Sequence, residues 1–421
     1  MAAFDIGITF SPGQGRLLEG VVDLLDLIEI EPQTYWTCTE SGRPRIEAPV
    51  LDALASLPHQ KVIHSVGVPV ANTSFDPEAL ALLRRMVERF GCEYFSEHLA
   101  FNFAALSGAG EVFTGFLLPP GSSAREAERI GRNARALSDA VGAPIALETA
   151  VNYLAPRDGE LTDGDFVART VEAAGAGILL DLHNIWANER NGRESVADFI
   201  ASLPLDRVWE VHLADGIDLE GTWLDAHSGL PQRHLLDLLA DLLPRLPNLR
   251  SVVFELLPQH THTLDIDAAR AFLDELRRLR PRASSRRPPL RAPAPRSRGQ
   301  AALLATENQA LARAILAPDP SIAPDLLGDP GVALYRRLMV DVRLSQLVTA
   351  LPATTRAACT THGPDAFEAW MRACCASHPA AVVPARDALG FARFLDQLDE
   401  LAPVVRATAA DERATIVASL S

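Results

Sequence analysis

The sequence predicts a (β/α)8 TIM barrel followed by a small, mostly helical domain, and three observations carry that prediction. Eight short apolar runs alternate with amphipathic stretches over the first 280 residues, which is the pattern of a barrel of parallel strands. A segment rich in Pro, Arg and Ser then interrupts the hydrophobic pattern. Beyond it, helical periodicity is punctuated by Pro and Gly, and no strand pattern is evident.

The eight apolar runs are short enough to be strands, and most are bounded by turn residues or charges. They cover 4–10, 24–32, 61–68, 94–101, 144–150, 177–185, 208–215 and 251–258. Between them, 76–90 and 232–246 have the apolar face of an amphipathic helix. An open doubly wound sheet is the alternative, but no GxGxxG follows the first strand, so the barrel is favoured.

The composition shift divides the chain into three parts. Residues 1–280 form the predicted barrel, 281–300 an Arg/Pro-rich linker with almost no aliphatic residue, and 301–421 the predicted helical domain. Within the last part, helices are predicted at 306–317, 331–351, 365–375 and 386–401. The linker is expected to be solvated, with contact between its arginines and an acidic peptide or domain as the second possibility.

Charge and cysteine content exclude several classes of protein. A chain of 421 residues with net charge −15 and a sequence pI near 5.2 is a poor candidate for binding nucleic acid or anionic membranes. Five scattered cysteines without a CxxC pair indicate a reducing compartment. The N-terminus lacks the pattern of a signal peptide, and no apolar run reaches the ~18 residues of a membrane span. We therefore expect a cytoplasmic protein with no nucleic-acid or membrane partner.

Polar residues occupy or directly follow the ends of most predicted strands. Because the carboxyl ends of barrel strands converge on one mouth, these side chains are expected to meet there. They are His64, Glu97, His98, Glu148, Asn152, Asp181, His183, Asn184, His212, Asp215, Asp225, His227 and Glu255. Imidazoles and carboxylates together suit zinc, iron or manganese, and a carboxylate can bridge two ions. The absence of cysteine from the set disfavours a structural zinc or iron–sulfur site, so the pattern predicts a multinuclear metal centre.

Simpler interpretations remain for individual residues. Any one of these histidines could be a hydrogen-bonded core residue instead of a ligand. Glu29 and Glu31 could contact substrate or a histidine of the site, and we do not predict them as ligands. His234 lies among leucines on a predicted helix and is expected to be a surface residue. No GxSxG, Walker A or HExxH motif is present, so the corresponding enzyme classes lack support.

Taken in order, the motifs HSVG, SEHLAF, LETAVNY, LLDLHN, HLAD, DAH and FELLP resemble a known family. It is the family of multinuclear non-heme iron-dependent oxidative enzymes to which MbnB and TglH belong, and the resemblance spans roughly residues 4–280. It implies a TIM barrel that binds two or three iron ions as a mixed-valence Fe(II)/Fe(III) centre, with O2 as co-substrate. The implied ligands are His64, His98, Glu148, Asn152, Asp181, His183, His212, Asp225, His227 and Glu255.

The resemblance also implies a reaction and a partner. Enzymes of this family oxidise residues of a ribosomally made precursor peptide, usually cysteine and in some members Asn or another residue. Glu148 would bridge two ions. Asp215, which stands where relatives have a different residue, is a further candidate catalytic residue. This departure, ETAVN in the fifth strand and Leu257 after Glu255 leave the substrate and the reaction open.

The C-terminal part is similar, more loosely, to the small partner proteins that accompany these enzymes. The similarity lies in GVALYRRLMVDVRLSQLVTALP and GFARFLDQL. It implies that residues 301–421 bind the leader of the precursor peptide, and tethering would raise the effective concentration of the peptide at the barrel. A helical cap without peptide contact is the alternative.

Two other functional classes stay open at this stage. A divalent-metal isomerase or phosphodiesterase of the xylose-isomerase or endonuclease IV type would also gather His, Asp and Glu at strand ends. A metal-storage or peptide-binding module would need the same residues without turnover. Iron with oxygen-dependent modification of a peptide would distinguish the oxidase from both.

Overall fold

A computed structural model describes residues 4–39, 43–106, 110–280, 290, 306–316 and 322–420. Contacts divide the chain into two units, of which the first comprises 1–35, 48–101 and 119–305. The second comprises 36–47, 102–118 and 306–421, so it includes two segments that lie between barrel strands in the sequence. The predicted linker at 281–300 lies outside the described residues except for Leu290.

The first unit is a closed barrel of eight parallel strands, which confirms the predicted fold class. The strands follow one another around the barrel in sequence order, and the last pairs with the first. They are β1 (Asp5–Phe10), β2 (Leu27–Ile30), β3 (Gln60–Ser65), β4 (Phe95–His98), β5 (Ile145–Glu148), β6 (Gly177–Asp181), β7 (Val208–Leu213) and β8 (Ser251–Phe254). Each observed strand lies within or overlaps one predicted run.

Helices follow the strands and cover the outside of the barrel. They are α1 (Gly15–Val21), α2 (Ala48–Ser56), α3 (Pro77–Phe90), α4 (Ala124–Val141), α5 (Asp163–Ala174), α6 (Leu182–Arg190), α7 (Val196–Ser202), α8 (Arg233–Leu242) and α9 (Ile266–Leu279). Local sequence signals set their ends. In α3, the Asp76 side chain accepts from Glu78 N, Pro77 occupies the first turn, and Gly91 ends the helix with φ 67°.

Strand register brings the polar residues to one level. Across the β4–β5 pair His98 lies opposite Glu148, and across the β6–β7 pair Asp181 lies opposite His212. Because the strands are parallel and in register, side chains at their carboxyl ends meet at the same mouth. The register therefore places the candidate ligands within reach of one another.

The opposite end of the barrel interior is apolar and tightly packed. One buried cluster joins Leu27, Val62, Tyr94, Ala146, Leu179, Trp209 and Val253, and Leu290 packs against it. Leu290 N also donates to Glu93 Oε1 at 2.7 Å. Gly177 lies under the Trp209 ring, where an added Cβ would stand 2.1 Å from the indole Cδ2. The absence of a side chain at this position lets Trp209 fill the interior.

The second unit is built from helices and two hairpins. The helices are α10 (Thr306–Leu316), α11 (Pro324–Leu327), α12 (Pro330–Ala350), α13 (Pro352–His362), α14 (Pro364–Ser377), α15 (Pro384–Leu395) and α16 (Pro403–Leu420). The hairpins are Thr37–Cys38 with Pro44–Arg45 and Phe101–Leu106 with Gly110–Leu118. Seven of these elements begin with a proline in the first turn or at the strand start, which explains why Pro punctuates the sequence here. Among the described helices, none is long and apolar enough to cross a membrane.

The packing at Gly177 gives a test of the barrel interior. We expect Gly177→Ala to destabilise the protein by about 1–3 kcal/mol, because the new methyl group overlaps the Trp209 ring and the core is already full. Thermal unfolding followed by circular dichroism measures the shift of the midpoint.

Gly15→Ala is the matched control, since nothing lies within 4 Å of its Cβ position and it opens α1. Equal midpoints for the two variants would contradict the packing described for Trp209.

Candidate metal centre

Three overlapping groups of His, Asp and Glu at the barrel mouth could each hold a metal ion, with their ligand atoms within 4.8 Å of one another. We call His64, His98 and Glu148 the histidine group, and Glu148, Asp181, His212 and Glu255 the carboxylate group. Glu29, Glu210 and His212 form the deep group. The three groups share members, so their positions are not independent.

In the histidine group, two imidazoles point at one carboxylate oxygen. Glu148 Oε2 lies 3.2 Å from His64 Nε2 and 2.7 Å from His98 Nε2. The other ring nitrogens are held by Ser96 Oγ at 2.9 Å from His64 and by Ser65 O at 3.2 Å from His98. These contacts fix both rings with Nε2 toward Glu148, the arrangement expected of oriented metal ligands.

In the carboxylate group, His212 Nδ1 lies 2.9 Å from Glu255 Oε2. Asp181 is fixed by two hydrogen bonds. Its Oδ1 accepts from Asn184 N at 2.8 Å, and its backbone N donates to Thr149 Oγ1, just after β5, at 3.2 Å. Its second oxygen, Oδ2, is buried without a hydrogen-bond partner. This group therefore offers carboxylate oxygens with free lone pairs beside a fixed imidazole.

The deep group includes Glu29, which contacts the Nε2 atom of the His212 ring. His212 Nε2 donates to Glu29 Oε2 at 3.1 Å, and Thr9 Oγ1 donates to Glu29 Oε1 at 2.9 Å. Burial and the neighbouring Glu29 raise the pKa of Glu210 to about 8. A carboxyl group that is protonated near neutrality is a poor metal ligand, and Glu29 is engaged by donors. We interpret the deep group as support for His212.

A second set of predicted ligands, the outer residues His183, Asp225 and His227, lies next to the carboxylate group. His227 Nδ1 lies 2.9 Å from Glu255 Oε1, and its Nε2 lies 2.6 Å from Asp225 Oδ1. His227 adopts φ 41°, a left-handed conformation that is costly for a residue with a side chain. Strain of this kind concentrates at functional sites, and here it accompanies a histidine directed at Glu255.

The electrostatics of the centre are those of a cation site. Burial lowers the pKa of His64, but Glu148 outweighs burial and the pKa is raised to about 9. Burial raises the pKa of Glu148, but His98 and His64 hold it well below its usual range. Burial and Asp225 raise the pKa of Asp181 to about 7. Without a metal ion, protons on the imidazoles balance the buried carboxylates.

The donor set also fits metal ions directly. Glu148 Oε2, Asp181 Oδ2, Asp225 Oδ1 and His227 Nε2 are buried and make no hydrogen bond of normal geometry. Buried polar atoms are rarely left without a partner, so four such atoms at one end of the barrel indicate a cation site. Imidazole and carboxylate donors suit iron, zinc or manganese.

Three further residues singled out from the sequence make hydrogen bonds to the backbone or to neighbouring side chains in the described structure. Glu97 accepts from His98 N at 2.8 Å and from Val68 N at 3.0 Å, so it orients the backbone around His98. Asn152 Oδ1 accepts from Leu154 N at 3.0 Å. Asp215 Oδ1 accepts from Gly216 N at 2.9 Å and from Gln232 Nε2 at 3.1 Å. The ligand role of Asn152 and the catalytic role of Asp215 stay predictions.

Sequence reasoning missed Glu210 and its partners. Glu210 precedes His212 by two residues in β7, so the alternation of a strand puts both side chains on the inner face, and this signal was available. Glu210 Oε1 accepts from Ser251 Oγ at 2.8 Å, and Ser251 Oγ lies 2.7 Å from Tyr94 OH. The first contact joins the neighbouring strands β7 and β8, and the second reaches across to the residue before β4, so neither has a signal in the local sequence.

A model of the family described as "RiPP precursor modification enzyme MbnB/TglH/ChrH" matches residues 6–274, where RiPP denotes a ribosomally synthesised and post-translationally modified peptide. The chain belongs to this family. The match includes every predicted metal ligand from His64 to Glu255 and confirms the resemblance found in the motifs. The MbnB/TglH/ChrH family comprises enzymes that modify RiPP precursors, and residues 306–420 lie beyond the matched segment.

Three relatives named as UPF0276 proteins are also similar in sequence to this chain. UPF0276 proteins of Streptomyces avermitilis and Chromobacterium violaceum are 31% identical over 172 residues and 32% identical over 167 residues. The first alignment covers 40% of this chain and 35% of the relative, and the second 39% and 59%. The UPF0276 protein of Caulobacter vibrioides is 30% identical over 187 residues, 44% of this chain and 63% of the relative. The chain thus spans about one to two thirds of the length of these relatives.

Solved structures with a similar backbone fold have low sequence identity to this chain. Endonuclease IV from Thermus thermophilus aligns with TM-score 0.41 and 20% identity over 64% of this chain and 99% of that chain. IolI protein with a bound zinc atom aligns with TM-score 0.43 and 14% identity over 65% and 96%. D-psicose 3-epimerase from Clostridium cellulolyticum aligns with TM-score 0.39 and 13% identity over 66% and 99%.

The proton balance of the centre predicts how metal removal changes stability with pH. In chelator-treated protein, the raised pKa of His64 means that its pairing with Glu148 stabilises the fold fully below pH ~6.5. That contribution, of the order of 3 kcal/mol, is lost as the pH rises through about 9. We expect the unfolding midpoint of the metal-free protein to fall between pH 7 and 9.5.

Metal-loaded protein should lack this decline over the same range, because a bound cation replaces the protons. His64→Asn, which removes one titrating imidazole, is the control and should make the decline of the metal-free curve smaller. Asp181 and Glu210, whose pKa values are also raised, account for part of the decline that is left. Parallel curves for the metal-free and the loaded wild-type protein would contradict the proton balance.

Proposed function

We propose that this chain is an iron- and O2-dependent enzyme that oxidatively modifies a ribosomally synthesised precursor peptide. The observation that carries the proposal is that Glu148 belongs to both the histidine group and the carboxylate group. A shared carboxylate can bridge a pair of neighbouring metal ions. Membership of a family of RiPP precursor modification enzymes supports a peptide as the substrate.

Two groups of residues at the barrel mouth would each hold one metal ion. The histidine group would hold one ion and the carboxylate group a second, with Glu148 between them. Iron bound there would supply the redox chemistry for oxidation by O2, as a mixed-valence Fe(II)/Fe(III) pair. Glu97, Glu29 and the hydroxyl groups that contact the ligand rings keep the donor atoms in place before any ion binds.

Residues of the chain itself would exclude water and handle protons. Glu148, Asp181 and His212 are buried, so the reaction would take place in a low-dielectric cavity. Asp215 is our candidate for a group that moves a proton, since it is partly exposed and lies in the loop after β7. The modified residue is expected to be a cysteine, with Asn or another residue as the alternative.

The second unit offers a cavity for the leader of the peptide. The cavity has a volume of about 880 Å³ and is lined within that unit by one hairpin strand and by α10, α12 and α14. Its wall combines apolar side chains such as Phe113 and Met339 with the cation Arg336. This mixture supports binding of an extended peptide that has apolar and acidic side chains, as we propose for residues 301–421.

Elemental analysis of protein purified without oxygen tests the metal. We expect two or more irons per chain in the wild-type protein and about one fewer in His98→Ala, because this change removes a nitrogen 2.7 Å from Glu148. Circular dichroism should show that the metal-free variant is folded. Its unfolding midpoint should be lower than that of the metal-free wild type, because Glu148 loses one of the two imidazoles that balance its charge.

His59→Ala is the control, since His59 precedes β3 at the opposite end of the barrel and contacts Val22 O. Unchanged iron content in His98→Ala would remove His98 from the ligand set. Stoichiometric zinc or manganese with negligible iron after iron-replete expression would favour a divalent-metal isomerase or phosphodiesterase.

Peptide binding tests the second unit. The probe is a fluorescent peptide taken from any short cysteine-containing reading frame that is found beside the gene. With it, we expect Met339→Lys to weaken binding by about tenfold or more, since the change puts a charge into the apolar wall. Fluorescence anisotropy of the full chain measures the affinity, and iron content should not change.

Val348→Lys is the matched control, since Val348 is 38% exposed on the same helix and does not line the cavity. Equal affinities for Met339→Lys and wild type would exclude this cavity as the leader site.

A further inference from the structure

His183 differs from the other predicted ligands because its ring has no free lone pair. Trp223 Nε1 donates to His183 Nε2 at 2.9 Å. An indole N–H can only donate, so Nε2 is the acceptor and the proton of the neutral ring must be on Nδ1. His183 Nδ1 faces Asn184 Oδ1 at 3.2 Å, where that proton is donated. Both ring nitrogens are therefore used.

Moving the proton does not free the ring for a metal ion. If Nδ1 bound a cation, the proton would have to be on Nε2, where it would face the N–H of Trp223. Two donors would then meet at 2.9 Å, and neither would have an acceptor. His183 can become a ligand only if the Trp223 indole withdraws.

Contacts to the backbone and to the ring of Trp223 fix the position of the indole. Trp223 N donates to Asn191 Oδ1 at 2.8 Å, and Asn191 Nδ2 donates to Trp223 O at 2.9 Å. The Arg190 guanidinium lies 4.5 Å from the ring centroid, and Trp186 makes an edge contact at 5.1 Å. These contacts hold the N–H toward His183 and oppose its withdrawal.

The local sequence also permits the contact between Trp223 and His183. The hairpin formed by Ile217–Leu219 and Thr222–Leu224 turns at Glu220 and Gly221, both with positive φ, as a two-residue hairpin requires. Gly216, just before it, lies so close that an added Cβ would stand 2.3 Å from Trp223 Nε1 and 2.6 Å from His183 Nε2. A glycine at this position is what lets the indole reach the imidazole.

We propose that Trp223 limits the centre to two metal ions by occupying His183 and so closing a third position at the outer residues. This inference rests on the proposed function, because it presupposes ions at the histidine and carboxylate groups. Without His183, the outer residues offer Asp225 and His227, which lie 2.6 Å apart and contact each other. Trp223 is thus a residue that determines how many ions bind and does not itself touch them.

Metal analysis of Trp223→Phe tests the inference, because phenylalanine fills most of the indole volume but has no N–H to donate. After anaerobic loading with excess Fe(II) and desalting, we expect about two irons per chain in wild type and about three in Trp223→Phe. Trp186→Phe, which leaves the bond to His183 intact, is the matched control and should hold about two. Adding His183→Ala to Trp223→Phe should return the content to about two.

The outcomes separate this inference from the proposed function. About three irons in wild type, or about two in Trp223→Phe, would overturn the role of Trp223 and leave the iron enzyme standing. Negligible iron in wild type would overturn the proposed function and this inference with it.

A second measurement uses the wild-type chain alone. With 15N-labelled tryptophan, the Trp223 indole proton should exchange slowly both without metal and after loading with diamagnetic zinc, and comparison with Trp223→Phe assigns it. Loss of that protection on loading with zinc would show that His183 changes partner and would refute the inference.

Discussion

The position of the Glu148 carboxylate is the constraint on which the rest of the barrel mouth depends. A buried carboxylate is expensive unless cations or donors surround it, and here two imidazoles from β3 and β4 approach the same oxygen. Those imidazoles need acceptors or donors of their own, which the adjacent strands supply through Ser96 and Ser65. Each contact joins neighbouring strands. The geometry of the site therefore depends on the register of β3, β4 and β5.

A polar series continues from this level into the barrel and ends at Tyr94, which belongs to the apolar cluster at the opposite end. Tyr94, Ser251, Glu210, Glu29 and His212 form a connected series of polar contacts through a region that most barrels fill with aliphatic side chains. Such a series stabilises the fold only when every member has a partner. Glu210 has one oxygen without a hydrogen bond and a pKa raised to about 8, so a proton there reduces the charge that the interior must accommodate. The interior therefore supports the orientation of His212 at a cost to apolar packing.

The sequence was sufficient for the fold class and for much of the site, because both follow from periodicity. Eight apolar runs, most of them with His, Asp or Glu at or near their ends, predict a barrel with a polar mouth, and His64, His98, Glu148, Asp181, His212 and Glu255 meet there. Strand ends were less accurate: the second strand was predicted at 24–32 and is Leu27–Ile30, since pairing with neighbours and not hydropathy ends a strand. The insertion of segments 36–47 and 102–118 into the second unit could not be foreseen, because it depends on contacts with residues more than 200 positions away.

The choice between ligand and core residue for a given histidine lies beyond local sequence for a definite physical reason. A neutral imidazole binds a metal ion through one nitrogen while its other nitrogen carries the proton and donates a hydrogen bond. The partner of that second nitrogen therefore decides whether the histidine can be a metal ligand. His98 and His183 both follow an apolar run and a carboxylate in the sequence, yet the first is oriented by a carbonyl and the second receives an N–H. The donor comes from Trp223, forty positions further on, and reaches His183 because Gly216 has no side chain. A histidine that follows an apolar run and a carboxylate is therefore compatible with two different centres, and we propose that a single indole beyond the next strand determines which of them forms.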